Sequence, residues 1–122
     1  MARVVSRVEV ANVLRQWQDR ALTVSQMHEW AEGLYLPGDI DFDDNEGELE
    51  DSAVKEVLAS LDLLDMNLVT ADDVPIYLEF LNTPVGQFQE GYRRFQAALA
   101  TIDYEKRRVA LAGDPFYASF RK

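Results

Sequence analysis

Between Thr83 and Gly113, Val85, Phe88, Tyr92, Phe95, Leu99, Ile102 and Val109 recur at spacings of three and four, and only Lys106 breaks the series. Thr83 is a good N-cap and Pro84 suits the first helical position, where the missing N–H has no helical partner. Gly113 followed by Asp114-Pro115 is a stop signal. The pattern predicts one helix of roughly 28 residues, about 40 Å long at ~1.5 Å per residue, with a continuous apolar seam. A seam of that length has to be covered by helices of the same chain or by a second copy. The spine of a bundle is the first expectation and a homodimer seam the alternative. Gly86 and Gly91 each lower helix propensity by about 1 kcal/mol relative to Ala, so they mark a close approach of another helix or a kink.

Helical grammar also covers most of the preceding chain. Ser6 and Glu9 form a capping box with Val5 and Val10 as its hydrophobic staple, and Val10, Val13, Leu14 and Trp17 give the first stripe. Thr23 and Gln26 repeat the device, with Met27, Trp30, Ala31 and Leu34 as the buried face and Pro37-Gly38 as the stop. Val54, Val57, Leu58, Leu61 and Leu64 define a third helix ending near Asn67. Thr70 opens a fourth with Asp73 completing its box; Pro75 removes one backbone bond if Thr70 is the cap and costs nothing if Asp73 is. The aromatic tail Phe116 to Phe120 is expected to fold back onto the rest. No alternating strand pattern, solenoid repeat or Pro/Gly/Ser linker divides the chain. The expectation is all-α: a single domain over 1–122, an antiparallel bundle of about five helices with one long C-terminal helix.

Charge narrows the partners. The formal balance of −10 is unevenly divided, because residues 29–90 hold 17 acids against Lys55 alone. Asp39 to Asp51 concentrates eight of them. Such density repels and favours exposure to solvent. Free nucleic acid is a poor ligand for this surface, since phosphate binding is driven by Lys and Arg; a basic protein is its natural complement. No apolar run approaches the ~18 residues of a membrane span, and the first ten residues lack the marks of a signal peptide. With no cysteine to report on redox compartment, the expectation is a cytoplasmic protein with no membrane partner.

Catalytic and metal-binding readings are weaker. Asp39, Asp41, Asp43 and Glu50 fall at positions 1, 3, 5 and 12 of a calcium loop, but position 6 is Asp44 where glycine makes the sharp turn, and position 8 is Glu46 where an apolar residue belongs. A solvated acidic loop is expected instead. His28, the single histidine, stands near Glu29 and Glu32 with no nucleophile in a recognisable motif. One histidine also rules out the paired Glu-x-x-His motifs of a di-iron bundle. No glycine-rich phosphate loop follows a strand. The chain is therefore expected to be neither an enzyme nor a cofactor carrier. The basic residues Lys106, Arg107 and Arg108 fan over different helical faces. They fit helix-dipole complementation, with Glu90–Arg94 and Asp103–Arg107 as i,i+4 pairs, or an intramolecular contact with the acidic middle.

Leu22-Thr23…Met27…Trp30-Ala31-Glu32…Tyr35, followed by an acidic linker and an amphipathic helix, resembles the small acidic all-helical immunity proteins of bacterial toxin systems, the colicin D immunity type being nearest. The similarity covers about half the chain; Val69–Leu81 and the long helix lie outside it. The resemblance implies a cognate toxin, often a nuclease, whose basic active site is blocked by carboxylates. On this reading Asp41, Asp43, Asp44, Glu46 and Glu48 are contact residues for a basic partner, with Phe42 as an aromatic anchor. The alternative is a structural or regulatory helical protein that self-associates through its long helix.

Overall fold

Ser6 starts the first helix as its local sequence dictates. In a computed structural model of the chain, which describes residues 3–35, 40–44, 46, 51–64, 67–114 and 117, the Ser6 hydroxyl accepts from the Glu9 amide at the head of α1 (Arg7–Gln18). Helix α2 (Val24–Tyr35) opens on the reciprocal box: the Gln26 amide donates to the Thr23 hydroxyl, and the Thr23 amide donates to the Gln26 side chain. Ser52 caps α3 (Ala53–Asp62) through the Lys55 amide. A 3-10 turn at Ala71–Asp73 leads into α4 (Val74–Leu81). Asp73 is the residue before α4, so Pro75 falls in its first turn and removes no helical bond.

The chain is mostly helical, with α2 packed on α3, α4 on α5 (Phe88–Ala100), and α1 against both α2 and α4. Val10, Leu14, Met27, Val57, Leu58, Leu61, Val74 and Tyr77 are buried in one cluster with the rings of Phe80, Phe88 and Phe95. The Phe80 and Phe95 rings stack at 4.5 Å between centroids, and Tyr77 meets Phe95 edge-on at 5.2 Å. Phe88 and Phe95, the centre of the expected seam, are thus buried inside the chain itself. Of the aromatic tail, Tyr117 does fold back: it is buried and its hydroxyl donates to the Val69 carbonyl. Phe116 and residues 118–120 lie outside the described residues.

Two expectations are corrected. The helix read over Thr83 to Gly113 is two helices, α5 and α6 (Tyr104–Ala110), separated at Thr101–Asp103. The Thr101 hydroxyl turns back to the Ala98 carbonyl, and the Asp103 carboxylate accepts from the Lys106 amide, so α6 carries its own N-cap. The seam stops where it loses its neighbours: α6 has no buried residue, and Val109 is 76% exposed. Helix α5 also starts later than Pro84, because Gly86 sits at φ +98° in a turn ahead of it. Gly91 marks a close approach of the Thr83 side chain in the α4–α5 connection and not of another helix: a Cβ there would lie 2.7 Å from Cβ of Thr83.

The second correction is a pair of short parallel strands, β1 (Arg3–Val5) and β2 (Ile40–Phe42), in the register Arg3–Ile40, Val4–Asp41, Val5–Phe42. Three residues are too few for alternation to register as a pattern, and the pairing spans 37 positions of sequence. The β-branched valines of β1 suit it. Val5 is buried, while Val4 faces out.

Candidate interaction surface

Strand β2 carries Asp41 onto the body of the protein, and backbone bonds hold Asp43, Glu46 and Asp51. The Asp43 amide donates to the Val5 carbonyl, and Glu46 and Asp51 exchange both amide–carbonyl bonds at 2.8 and 2.9 Å. Asp44 is 2% exposed. One of its carboxylate oxygens accepts from Nε of Arg7 at 2.7 Å and from the Val54 amide at 3.3 Å; the other accepts from the Ser52 hydroxyl. The same Arg7 guanidinium donates to the carbonyls of Leu81 and Thr83 at the end of α4. One buried carboxylate therefore joins α1, the head of α3 and, through Arg7, the end of α4.

Glu46 makes a second clamp. Its two oxygens accept from the amides of Gly86 at 2.6 Å and Phe88 at 2.8 Å. These donors stand at the start of α5, where amides lack helical partners and a negative charge complements the dipole. Asp51 adds an accepting contact from the Gln89 side chain at 3.2 Å.

The six residues expected to meet a partner thus separate. Asp41 and Asp43 are exposed. Phe42 lies between them, half-buried and packed against the core, so it is no free-standing anchor. Asp44 is buried, which corrects the reading of it as a surface contact; Glu46 is half-buried, with its carboxylate on the amides of Gly86 and Phe88. Glu48 lies outside the described residues, as do Asp39 and Glu50 of the calcium-loop comparison, whose sixth position, Asp44, is buried against Arg7. Among the described residues no group of three or more His, Asp or Glu could hold a metal ion. His28 is structural in its contacts: Nε2 lies 2.8 Å from the Asp62 carbonyl, tying α2 to the end of α3, and 3.7 Å from Glu32.

Nothing in the sequence marks the role of Arg7, and the i,i+4 spacing offers the wrong partner for Arg107. Arg107 does not pair with Asp103; it forks onto Asp73 at 2.7 and 3.0 Å and donates to the Leu68 carbonyl. Its guanidinium carbon lies 5.8 Å from the Tyr104 ring centre. Burial pulls the Arg107 pKa down, but the hydrogen bond and charge of Asp73 outweigh this and leave it raised. The intramolecular alternative for the basic C-terminal segment is thereby realised at one residue. Glu90 makes two exposed ion pairs, with Arg93 and with Arg94, each worth little to stability.

Beside that ion pair lies a cleft of about 350 Å³ between α3 and α4–α6, lined by Glu56, Ser60, Asp73, Tyr77, Phe95 and Tyr104 among others. The Tyr77 hydroxyl is 2.7 Å from the Ser60 hydroxyl. Burial raises the Tyr77 and Tyr104 phenols above their ordinary value. Burial also raises the Glu56 carboxyl, opposed by Lys55 and reinforced by Asp51. Among the described residues no helix is long and apolar enough to cross a membrane.

No family model matches this sequence, no curated protein matches it, and no solved structure matches its fold.

Proposed function

We propose that the chain is a protein-binding module that takes a basic partner on the acidic edge around β2, in the manner of an immunity protein blocking a cationic, nuclease-type toxin. The observation that carries this reading is the division of labour in the acidic stretch. Asp44 and Glu46 are spent on internal clamps, while Asp43 and Asp41, whose carboxylate also accepts from the Phe42 amide at 2.8 Å, stand exposed on the backbone those clamps hold. Carboxylates fixed in advance avoid the ordering cost that a free acidic loop meets on binding. Val4, the register partner of Asp41, is 58% exposed and offers apolar contact beside the charges. The surrounding excess of acids steers a cationic protein toward the site and makes association weaken with salt.

The test is capture of a basic protein from the native host at low ionic strength, repeated with Asp41→Asn/Asp43→Asn and with Glu79→Gln/Glu105→Gln as a charge-matched control. The expected result is a salt-sensitive complex lost in the first variant and retained in the second. Equal retention by both variants, or equal loss in both, sinks the assignment to β2.

A further inference from the structure

Glu56 is a half-buried carboxylate in the first two turns of α3 with no hydrogen bond or ion pair to any described residue. The cation that acts on it is its chain neighbour Lys55, whose side chain is exposed, and the next charge it feels, Asp51, has its own sign. Charges withdrawn from water are paired in stable interiors, because desolvation is otherwise uncompensated. Asp73, buried on the same cleft, obeys that rule through Arg107; Glu56, half-buried, keeps part of its hydration and has only water to complete it. The burial-raised pKa of Glu56 is the same imbalance seen from the proton's side.

We propose that the cleft between α3 and α4–α6 binds one alkylguanidinium or alkylammonium group, held by the Glu56 carboxylate among the Tyr77, Phe95 and Tyr104 side chains. The protein already displays this recognition once, where Arg107 forks onto Asp73 against the Tyr104 ring. With Asp73 neutralised by Arg107, the Glu56 carboxylate leaves the cleft a net negative charge, which disfavours anions. Its volume of about 350 Å³ is at the small end of ligand pockets, which fits a single cationic chain of a few carbons and not a nucleotide. Neither Asp41 nor Asp43 is among its lining residues, so the site stands or falls independently of the partner surface at β2.

Two probes share the chemistry and separate its sources: agmatine represents a free cationic metabolite, and N-acetyl-arginine amide represents an arginine side chain of a protein. N-acetyl-citrulline amide is the neutral control. With about nine heavy atoms, agmatine at ordinary ligand efficiency binds with a Kd on the order of millimolar, within reach of amide-shift titration by NMR. The expected result is saturable shifts at Glu56, Ser60 and Tyr104 with at least one cationic probe, none with citrulline, and about tenfold or greater loss in Glu56→Gln. Binding of agmatine alone identifies a small-molecule site, and binding of the blocked arginine identifies a side-chain receptor. A rise in Tm with the cationic probe in the parent but not in Glu56→Gln is the second readout. No saturation by either cation at tens of millimolar, or equal binding by Glu56→Gln, overturns the proposal.

Discussion

Replacing Asp44 by alanine should cost the fold about 3 kcal/mol. The change leaves the Val54 amide, a buried donor, without its carboxylate acceptor, and leaves Arg7, 18% exposed at its side chain, without its counter-ion. Breaking a buried pair by removing one partner costs about 3–5 kcal/mol. Arg7 keeps its bonds to the Leu81 and Thr83 carbonyls, and Ser52 keeps the Lys55 amide, so the lower end applies. Against a total of about 5–15 kcal/mol for a domain, that is a large share. With an m-value of about 1–3 kcal/mol/M, the urea midpoint followed by circular dichroism at 222 nm should fall by roughly 1–3 M. Asp41→Ala and Asp43→Ala should each stay within about 0.5 kcal/mol, because both side chains are exposed. Replacing both members, Arg7→Met with Asp44→Leu, should cost less than the sum of the single changes. A loss below about 1 kcal/mol for Asp44→Ala, or one equal to that of Asp41→Ala, would refute the account of Asp44 as a clamp.

Glu46→Ala removes the acceptor for the Gly86 and Phe88 amides and should cost about 1 kcal/mol, the usual value of a cap; hydrogen exchange at those two amides should rise first. Gly91→Ala drives a methyl into Thr83 and should destabilise by about 1–3 kcal/mol, with relief when Thr83→Gly is added, measured by thermal unfolding. For Glu56 the folded pKa is raised above its ordinary 4.5, so the folded chain holds the proton more tightly than the unfolded one. The stability this gives is full below 4.5 and is lost as pH rises through the raised value. Glu56→Gln should therefore match the parent in acid and exceed it in Tm at neutral pH; a difference of the opposite sign contradicts the desolvation argument.

Caps and core faces were legible because both are local. Ser6, Thr23 with Gln26, and Asp73 before Pro75 bond within three residues of themselves, and such signals survive in a sequence window. The same windows misread Thr101 to Asp103. The apolar period runs through this stretch, yet Thr101 and Asp103 each offer the backbone a side-chain partner, and α6 beyond them has no buried residue. Pairings across the chain were illegible in principle. Which acid of the dense run is neutralised depends on an arginine 37 positions away, and nothing in the run distinguishes Asp44 from Asp43.

That indistinguishability bears on how a basic partner would meet the protein. Arg7 and Arg107 fold in from the flanking segments onto Asp44 and Asp73, offsetting two of the sixteen net negative charges of residues 29–90. What remains keeps its sign and most of its size, so steering survives while the contact set shrinks. Phe42, at the end of β2, packs inward, while Asp41 before it and Asp43 in the turn after it are exposed. Cα atoms two residues apart on one chain lie no more than about 7 Å from each other. A helix presents positions i and i+4 at about 6 Å along its axis, so an i,i+4 pair of Lys or Arg on a partner helix is commensurate with the two carboxylates. In the proposed complex, charge-reversing both of the partner's residues together with Asp41→Lys/Asp43→Lys should restore an association that either change alone abolishes. Failure of that exchange, with each protein still folded, would separate steering by net charge from recognition at β2.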